Sequence, residues 1–164
     1  IGTSNNKNIK NILMSLIDID CELIIIGDLI KEYLFILKKY KIKYKNYVAL
    51  SNKAIFKKYV ESDLLMFPSQ YEGFGMPILE AQTVGRVVIT SNLEPMKSVG
   101  GNGALYVNPY NVKNINNTIK KVIDNKSLRN KLIQNGFENI KRFNKVKILK
   151  KHLNCYYSIL KKNF

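Results

Sequence analysis

Residues 64–81 read L-L-M-F-P-S-Q-Y-E-G-F-G-M-P-I-L-E-A. The four apolar residues Leu64–Phe67 predict a buried strand, which Pro68 ends. A glycine-containing polar loop follows, and Pro77 is typical of the first position of a helix, so we expect a helix to begin there. The stretch therefore predicts a strand–loop–helix unit, the repeating element of α/β proteins.

The same alternation extends in both directions along the chain. Apolar runs predict further strands at Glu22–Gly27, Tyr47–Leu50, Val87–Thr90 and Ala104–Val107. Helical periodicity predicts helices at Ile9–Ile17, Lys31–Tyr40, after a cap at Ser51, and at Val112–Ile123, Ser127–Ile140 and Asn144–Lys162. Because the predicted strands are short apolar runs, we expect a Rossmann-like, doubly wound parallel sheet with helices on both faces. Ligands of such sheets bind at the carboxyl ends of the strands.

Length and composition fit a single domain. The chain has 164 residues, 46% of them hydrophobic, which is enough for a core and excludes a disordered protein. No apolar run is long enough to cross a bilayer, and no secretory signal opens the sequence. Cys21 and Cys155 have neither metal-site nor disulfide-framework spacing, which favours a reducing, cytoplasmic compartment. Since Ile1-Gly2-Thr3 is typical of the end of a strand, we expect residues 1–164 to be one domain of a longer protein.

The net charge of +15 is concentrated in two segments, residues 33–60 and 141–164, which contain no acidic residue. Nearly all the basic residues are Lys, whereas proteins that recognise nucleic acid use Arg heavily, and no nucleic-acid motif accompanies them. We interpret the segments first as solvated faces. Attraction to an anionic membrane or a phosphorylated acceptor is the second interpretation, and nucleic-acid binding is the least favoured.

The loop after Leu64–Phe67 is the best candidate site from its position alone. Gly73 and Gly75 let the backbone approach a ligand closely, and the following helix N-terminus presents free N–H groups to an anion. Two carboxylates flank it, Glu72 before the loop and Glu80 in the first helical turn. Because carboxylates repel an anion, we expect them to accept hydrogen bonds from sugar hydroxyls. The alternative is a turn formed by the glycines, with Glu80 favouring the helix N-terminus electrostatically.

Residues 72–81, E-G-F-G-M-P-I-L-E-A, resemble the signature of the family 4 (group 1) retaining glycosyltransferases of the GT-B fold. That signature has two glutamates separated by seven residues around a Gly-Phe-Gly-x-Pro core. Residues 1–9, 22–28 and 101–109 continue the resemblance. It implies the C-terminal, donor-binding half of a GT-B enzyme, without the N-terminal acceptor domain. The implied activity is retaining, metal-independent transfer of a hexosyl group from a UDP- or GDP-hexose.

The resemblance also implies residue roles. Glu72 would contact the transferred sugar and Lys7 would neutralise the leaving diphosphate, making these the catalytic residues. Glu80 would accept hydrogen bonds from the donor ribose, and the backbone N–H groups of Gly73, Phe74, Gly75 and Met76 would hold the sugar and diphosphate. The nucleobase would lie against the loop after the Tyr47–Leu50 strand. Many members carry an Arg shortly before the lysine; none is present here, so Ser4 is expected to help.

The expected partners are a nucleotide-sugar donor and a sugar, lipid-linked or protein acceptor held by the missing domain. We expect no cofactor, metal or nucleic acid, and a role in polysaccharide or glycolipid biosynthesis at the cytoplasmic membrane face. Asp18-Ile19-Asp20 matches a metal motif of another glycosyltransferase fold, but it precedes its strand and so lies opposite the site. The alternatives are a GT-B-like nucleotide-sugar epimerase, a phosphorylase-type enzyme or a basic nucleic-acid-binding module. The isolated fragment is expected to bind donor and to transfer little.

Overall fold

The structure is a computed structural model that describes residues 1–160, without the side chains of residues 145 and 147. The described part contains five strands, β1 Glu22–Ile26, β2 Lys43–Tyr47, β3 Leu64–Phe67, β4 Val87–Ser91 and β5 Ala104–Val107. Its helices are α1 Ile9–Ser15, α2 Lys31–Lys39, α3 Asn52–Glu61, α4 Met76–Thr83, α5 Met96–Gly100, α6 Val112–Asp124, α7 Lys126–Ile140 and α8 Lys145–Leu160. Single 3-10 turns lie at Asn5–Lys7, Gly101–Gly103 and Lys141–Phe143.

All the strand pairs are parallel, and they form two sheets. In the first, β1 pairs with β2, with Glu22 opposite Lys43 and Ile26 opposite Tyr47. In the second, β4 lies between β3 and β5. Parallel strands joined by helices confirm the predicted α/β class.

Helices cover both faces of the strands, so the core is divided in two. Successive side chains of a strand point to opposite faces. Leu65 of β3 and Val88 of β4 pack in one core with α3, α4 and α5. Met66 and Ile89, one residue further on, pack in the other with α1, α2 and α6. The strands are therefore buried on both faces around β4, whose five residues are all buried.

One predicted strand is wrong in position. Residues 47–50 were expected to form it, but β2 spans Lys43–Tyr47 and is exposed along most of its length. Among the strands that the structure describes, β2 pairs with β1 alone and so needs no apolar run. Ala49 has a left-handed φ of 54°, which ends the extended backbone. Residues 48–50 instead form the loop at the carboxyl end of β2.

The C-terminal helices differ less from expectation. α6 and α7 match the predicted bounds to within a residue, while the short α5 was not predicted. The apolar residues of α8 are exposed, with Leu149 59% and Tyr156 64% exposed. Residues 161 and 162, the end of the predicted last helix, lie outside the described residues. Within residues 1–160, no helix combines the length and apolar character needed to span a membrane.

Candidate active site

The loop between β3 and α4, residues 68–75, is called the signature loop below. It leaves the carboxyl end of β3 and delivers the chain to the N-terminus of α4, as predicted. Gly75 is the N-cap of α4 and has a φ of 100°, a conformation that suits only glycine. α4 begins at Met76, one residue earlier than predicted, so Pro77 is its second residue and not its first.

The backbone N–H groups of Gly73 to Met76 point to an anion site. Among the residues described by the structure, none of these four N–H groups donates a hydrogen bond to a protein acceptor. They lie where the α4 dipole adds roughly half a positive charge. A beta carbon added to Gly73 would meet nothing within 4 Å, so the space beside this residue is open to a ligand.

Lys7 and Glu72 form an ion pair at the start of the signature loop. Lys7 Nζ lies 2.6 Å from Glu72 Oε1, and the two side chains are only 17% and 12% exposed. The ammonium group also lies 4.8 Å from the centre of the Phe67 ring. The structure therefore brings together the two residues predicted to be catalytic, and the lysine charge is directed into the loop.

Residues 1–8, the first loop, are fixed to the signature loop by Asn6 and Asn8. The side-chain amide of Asn6 donates to the backbone carbonyl oxygen of Tyr71 at 3.0 Å. The backbone carbonyl oxygen of Asn6 accepts from the Gln70 N–H at 2.8 Å. The Asn8 side chain is buried and donates to the carbonyl oxygens of Pro68 and Pro109, at 3.0 and 2.7 Å. Lys7 is thus held between two anchored asparagines.

The backbone of Gly2 passes close to the Lys7 side chain and leaves it room to reach Glu72. Gly2 has a φ of 78°, and a beta carbon there would lie 3.0 Å from the Lys7 side chain. The Gly2 N–H donates to the carbonyl oxygen of Ile26 at the end of β1. The first loop therefore passes over the carboxyl ends of both β1 and β3.

Glu80 lies on α4, one turn deeper than predicted, and has a partner that sequence reasoning missed. The Tyr59 hydroxyl of α3 donates to Glu80 Oε2 at 2.7 Å. Tyr59 is buried, and burial together with the neighbouring carboxylate raises the pKa of its hydroxyl. The phenol therefore remains a donor, which holds one carboxylate oxygen and leaves the other available to a ligand.

The remaining predicted residues line the margin of the site. Phe74 is 42% exposed and contacts the Phe143 ring edge-on at 5.9 Å, and Met76 is 54% exposed. The Ser4 hydroxyl donates to Asn6 rather than to Lys7 or Glu72. Ser4 thus touches the site only through Asn6, and its predicted help to Lys7 stays a prediction.

The acidic pair Asp18 and Asp20 lies away from these residues. Asp18 accepts hydrogen bonds from Asn116 and Lys120, and Asp20 pairs with Lys43 at 2.7 Å. Both precede β1, at the amino ends of the strands. This position agrees with the sequence interpretation, which placed the pair opposite the site.

A family model places this geometry among known proteins. The model for glycosyl transferases group 1 matches residues 3–139, most of the chain. The chain belongs to this family. The group 1 domain is 32% identical over 98 residues to O-antigen chain mannosyltransferase B of Escherichia coli, covering 60% of this chain and 26% of that protein.

A second curated relative and a solved structure are also similar to the group 1 domain. It is 34% identical over 103 residues to an Escherichia coli UDP-Gal:alpha-D-GlcNAc-diphosphoundecaprenol alpha-1,3-galactosyltransferase, covering 54% of this chain and 25% of that protein. The structure of Anabaena Alr3699/HepE in complex with UDP and glucose superposes with a TM-score of 0.85 at 18% identity, over 96% of this chain and 47% of that one. The fold is that of GT-B glycosyltransferases, and the chain spans about a quarter of these curated relatives.

Proposed function

We propose that this group 1 chain is the donor-binding domain of a family 4, retaining hexosyltransferase that uses a nucleoside-diphosphate sugar without a metal ion. The observation that carries the proposal is the Lys7–Glu72 pair at the N-terminus of α4, beside four backbone N–H groups that have no acceptor within residues 1–160. A cation and preorganised amides together suit a diphosphate group.

The chemistry follows from where charge develops during transfer. Breaking the bond between the sugar and the diphosphate leaves negative charge on the leaving group, and Lys7 and the loop amides can stabilise it there. When a diphosphate engages Lys7, the Glu72 carboxylate becomes free to accept a hydrogen bond from a sugar hydroxyl. Glu80, oriented by Tyr59, would hold the ribose hydroxyls, and the loop at residues 48–50 would lie against the base.

The acceptor side belongs to the larger protein in this proposal. The galactosyltransferase relative is named for a diphosphoundecaprenol acceptor, which supports a lipid-linked acceptor and a role in glycolipid or polysaccharide synthesis. The exposed apolar residues of α8 and the lysines around them would suit the surface of an anionic membrane on its cytoplasmic side. Because the acceptor-binding half is a separate domain in this proposal, the chain alone should bind donor and transfer little.

Calorimetric titration with UDP, GDP and ADP, each with and without a hexose, tests the donor class. We expect one nucleotide to bind selectively. Glu80→Ala should weaken that binding by roughly 1–3 kcal/mol, since a hydrogen-bonding carboxylate is lost. Tyr59→Phe should weaken it less, because the carboxylate remains but is no longer held by the phenol.

Glu61→Ala is the matched control, because Glu61 lies on α3 near the surface and pairs with Lys58 outside the site. It should leave nucleotide affinity unchanged. Equal loss of affinity in the Glu80 and Glu61 variants would contradict the proposed ribose contact. Unchanged nucleotide affinity in the Glu80 variant would contradict it as well.

A further inference from the structure

The second half of the signature loop, residues 73–75, has few attachments to the rest of the protein. The first half is fixed by the side chains of Asn6, Lys7 and Asn8. In residues 73–75, by contrast, no backbone N–H has an acceptor within the described part of the chain. Two of these three residues are glycines, so only Phe74 has a side chain that can hold this half. The position of the N–H groups therefore depends on what fixes the Phe74 ring.

The Phe74 ring lies against Phe143, in the 3-10 turn that joins α7 to α8. The ring centres are 5.9 Å apart and the ring planes form an angle of 85°, an edge-to-face arrangement that aromatic pairs favour. Phe74 is exposed, whereas Phe143 is half-buried and packs against the core that contains Ile78 of α4. Phe143 is thus the anchored member of the pair, and its ring limits where Phe74 can lie.

A network of hydrogen bonds fixes the turn that carries Phe143. The Arg142 guanidinium lies 5.3 Å from the centre of the Phe143 ring and donates to Asn139 Oδ1 at 2.7 Å. It also donates to the carbonyl oxygen of Ser98 at 3.3 Å. The buried Asn139 side chain donates in turn to Gln82 Oε1 at 2.8 Å. Because Gln82 lies on α4, the turn is tied to the helix that follows the signature loop.

We propose that Phe143 is a positioning residue of the donor site. Its ring holds Phe74, and Phe74 keeps the backbone N–H groups of residues 73–76 directed at the diphosphate. The inference rests on the proposed function and extends the donor site to a turn outside residues 3–139, which the family model matches. Phe143 acts through Phe74 and does not touch the donor.

The contact between the rings acts by limiting the conformations of the loop before the donor binds. Glycines on both sides leave the backbone around Phe74 free to adopt many conformations. A loop that is not held loses this freedom on binding, which weakens affinity, whereas a loop held in advance has already lost it. An edge-to-face contact is strong enough to change a binding equilibrium roughly twofold to tenfold.

Phe143→Leu tests the proposal, because leucine keeps apolar bulk for the core but has no ring edge to present to Phe74. Calorimetry with UDP, GDP and ADP should show that the nucleotide bound by the native chain binds about threefold to tenfold more weakly. NMR relaxation without nucleotide should show the amide order parameters of residues 73–75 falling from about 0.85 to below about 0.6. Phe74→Leu should have the same effects, and the double variant should bind no more weakly than either single variant.

Phe137→Leu is the matched control. Phe137 is also half-buried and lies on α7, but its ring packs beside Gly85, just beyond the opposite end of α4 from the signature loop. This variant should lower Tm about as much as Phe143→Leu. It should leave nucleotide affinity and the order parameters of residues 73–75 unchanged, because it removes packing without touching Phe74.

Three results would overturn the proposal. The first is unchanged affinity and unchanged order parameters in Phe143→Leu. The second is an equal loss of affinity in Phe143→Leu and Phe137→Leu. The third is a double variant whose loss equals the product of the two single losses, since the rings would then act independently.

Two further outcomes are separable from these. A native chain that binds none of the three nucleotides would refute the proposed function, and the order parameters would still decide whether Phe143 holds the loop. If Phe143→Leu does not fold, Phe74→Leu removes the same contact from its exposed side. Unchanged affinity and order parameters in that variant would overturn the proposal in the same way.

Discussion

At the scale of single residues, a bound diphosphate would compete with Glu72 for the ammonium group of Lys7. In the structure Lys7 pairs with Glu72, while the backbone N–H groups of residues 73–76 have no acceptor among the described residues. A diphosphate placed on those amides would offer Lys7 a second, doubly coordinated partner. Ligand binding would therefore replace the ion pair rather than add to an isolated charge.

Lys7→Met tests whether the ammonium group of Lys7 itself binds the diphosphate, as opposed to a general effect of positive charge. The substitution keeps most of the length of the side chain and removes the ammonium group. It leaves Glu72 mostly buried, without its ion-pair partner and with the Asn6 side-chain amide at 3.4 Å. We expect loss of nucleotide-diphosphate affinity by at least about tenfold, and of stability by roughly 1–3 kcal/mol, as for a lost hydrogen bond to a charged group. Calorimetry and urea unfolding measure the two effects.

Lys10→Met is the matched control for this prediction. Lys10 pairs with Glu32 at 2.8 Å, yet both side chains are about half exposed, and such pairs contribute little. Its Tm and its nucleotide affinity should equal those of the native chain. A Lys10 variant that binds as weakly as the Lys7 variant would show that only net charge matters.

The residues that sequence reasoning missed are those whose role depends on distant partners. Asn8 and Tyr59 act through residues 60 and 21 positions away in the chain. Nothing in their local pattern distinguishes them from a polar loop residue and a core tyrosine. Glu72 and Gly75 were predictable because their roles are local: Glu72 places a carboxylate within the signature loop, and Gly75 needs a positive φ.

At the scale of elements, apolar runs predicted the strands that are buried on both faces and failed for the one that is not. β3, β4 and β5 agree with prediction to within a residue. β2 lies at the edge, where Lys43 and Lys45 reach solvent and pair with Asp20 and Glu22. Its sequence therefore carries charges where the interior strands carry aliphatic residues, and a hydrophobic pattern cannot locate it.

Two glycines, Gly103 and Gly73, have opposite requirements that can be tested together. A beta carbon on Gly103 would lie 2.5 Å from the Gly136 alpha carbon, so the 3-10 turn at Gly101–Gly103 and α7 touch backbone to backbone. We expect Gly103→Ala to force α7 away and to cost about 1–3 kcal/mol in stability, as overpacking does. Thermal or urea unfolding measures this cost.

Gly73→Ala should do the reverse. The space beside Gly73 is open, so we expect an unchanged Tm but weaker nucleotide-sugar binding, because the methyl group would occupy room needed by the donor. If Gly73→Ala destabilised the fold as much as Gly103→Ala, the open space would have a structural use instead.

At the scale of the whole molecule, acidic residues from outside the segment 33–60 offset part of its positive charge. Lys43 and Lys45 of β2 pair with Asp20 and Glu22, and Lys58 pairs with Glu61 on its own helix. The segment contains eight lysines, so most of its excess charge remains. The interpretation of these lysines as solvated faces stays a prediction.

The charged, exposed edge at β2 also affects how readily the molecule aggregates through its sheet. An unpaired strand edge is a template on which other chains can stack into fibrils, and strongly hydrated lysine side chains oppose such stacking. Lys43 and Lys45 lie on that strand, 69% and 57% exposed. The lysines of β2 thus oppose amyloid-like stacking of other chains on this edge of the sheet.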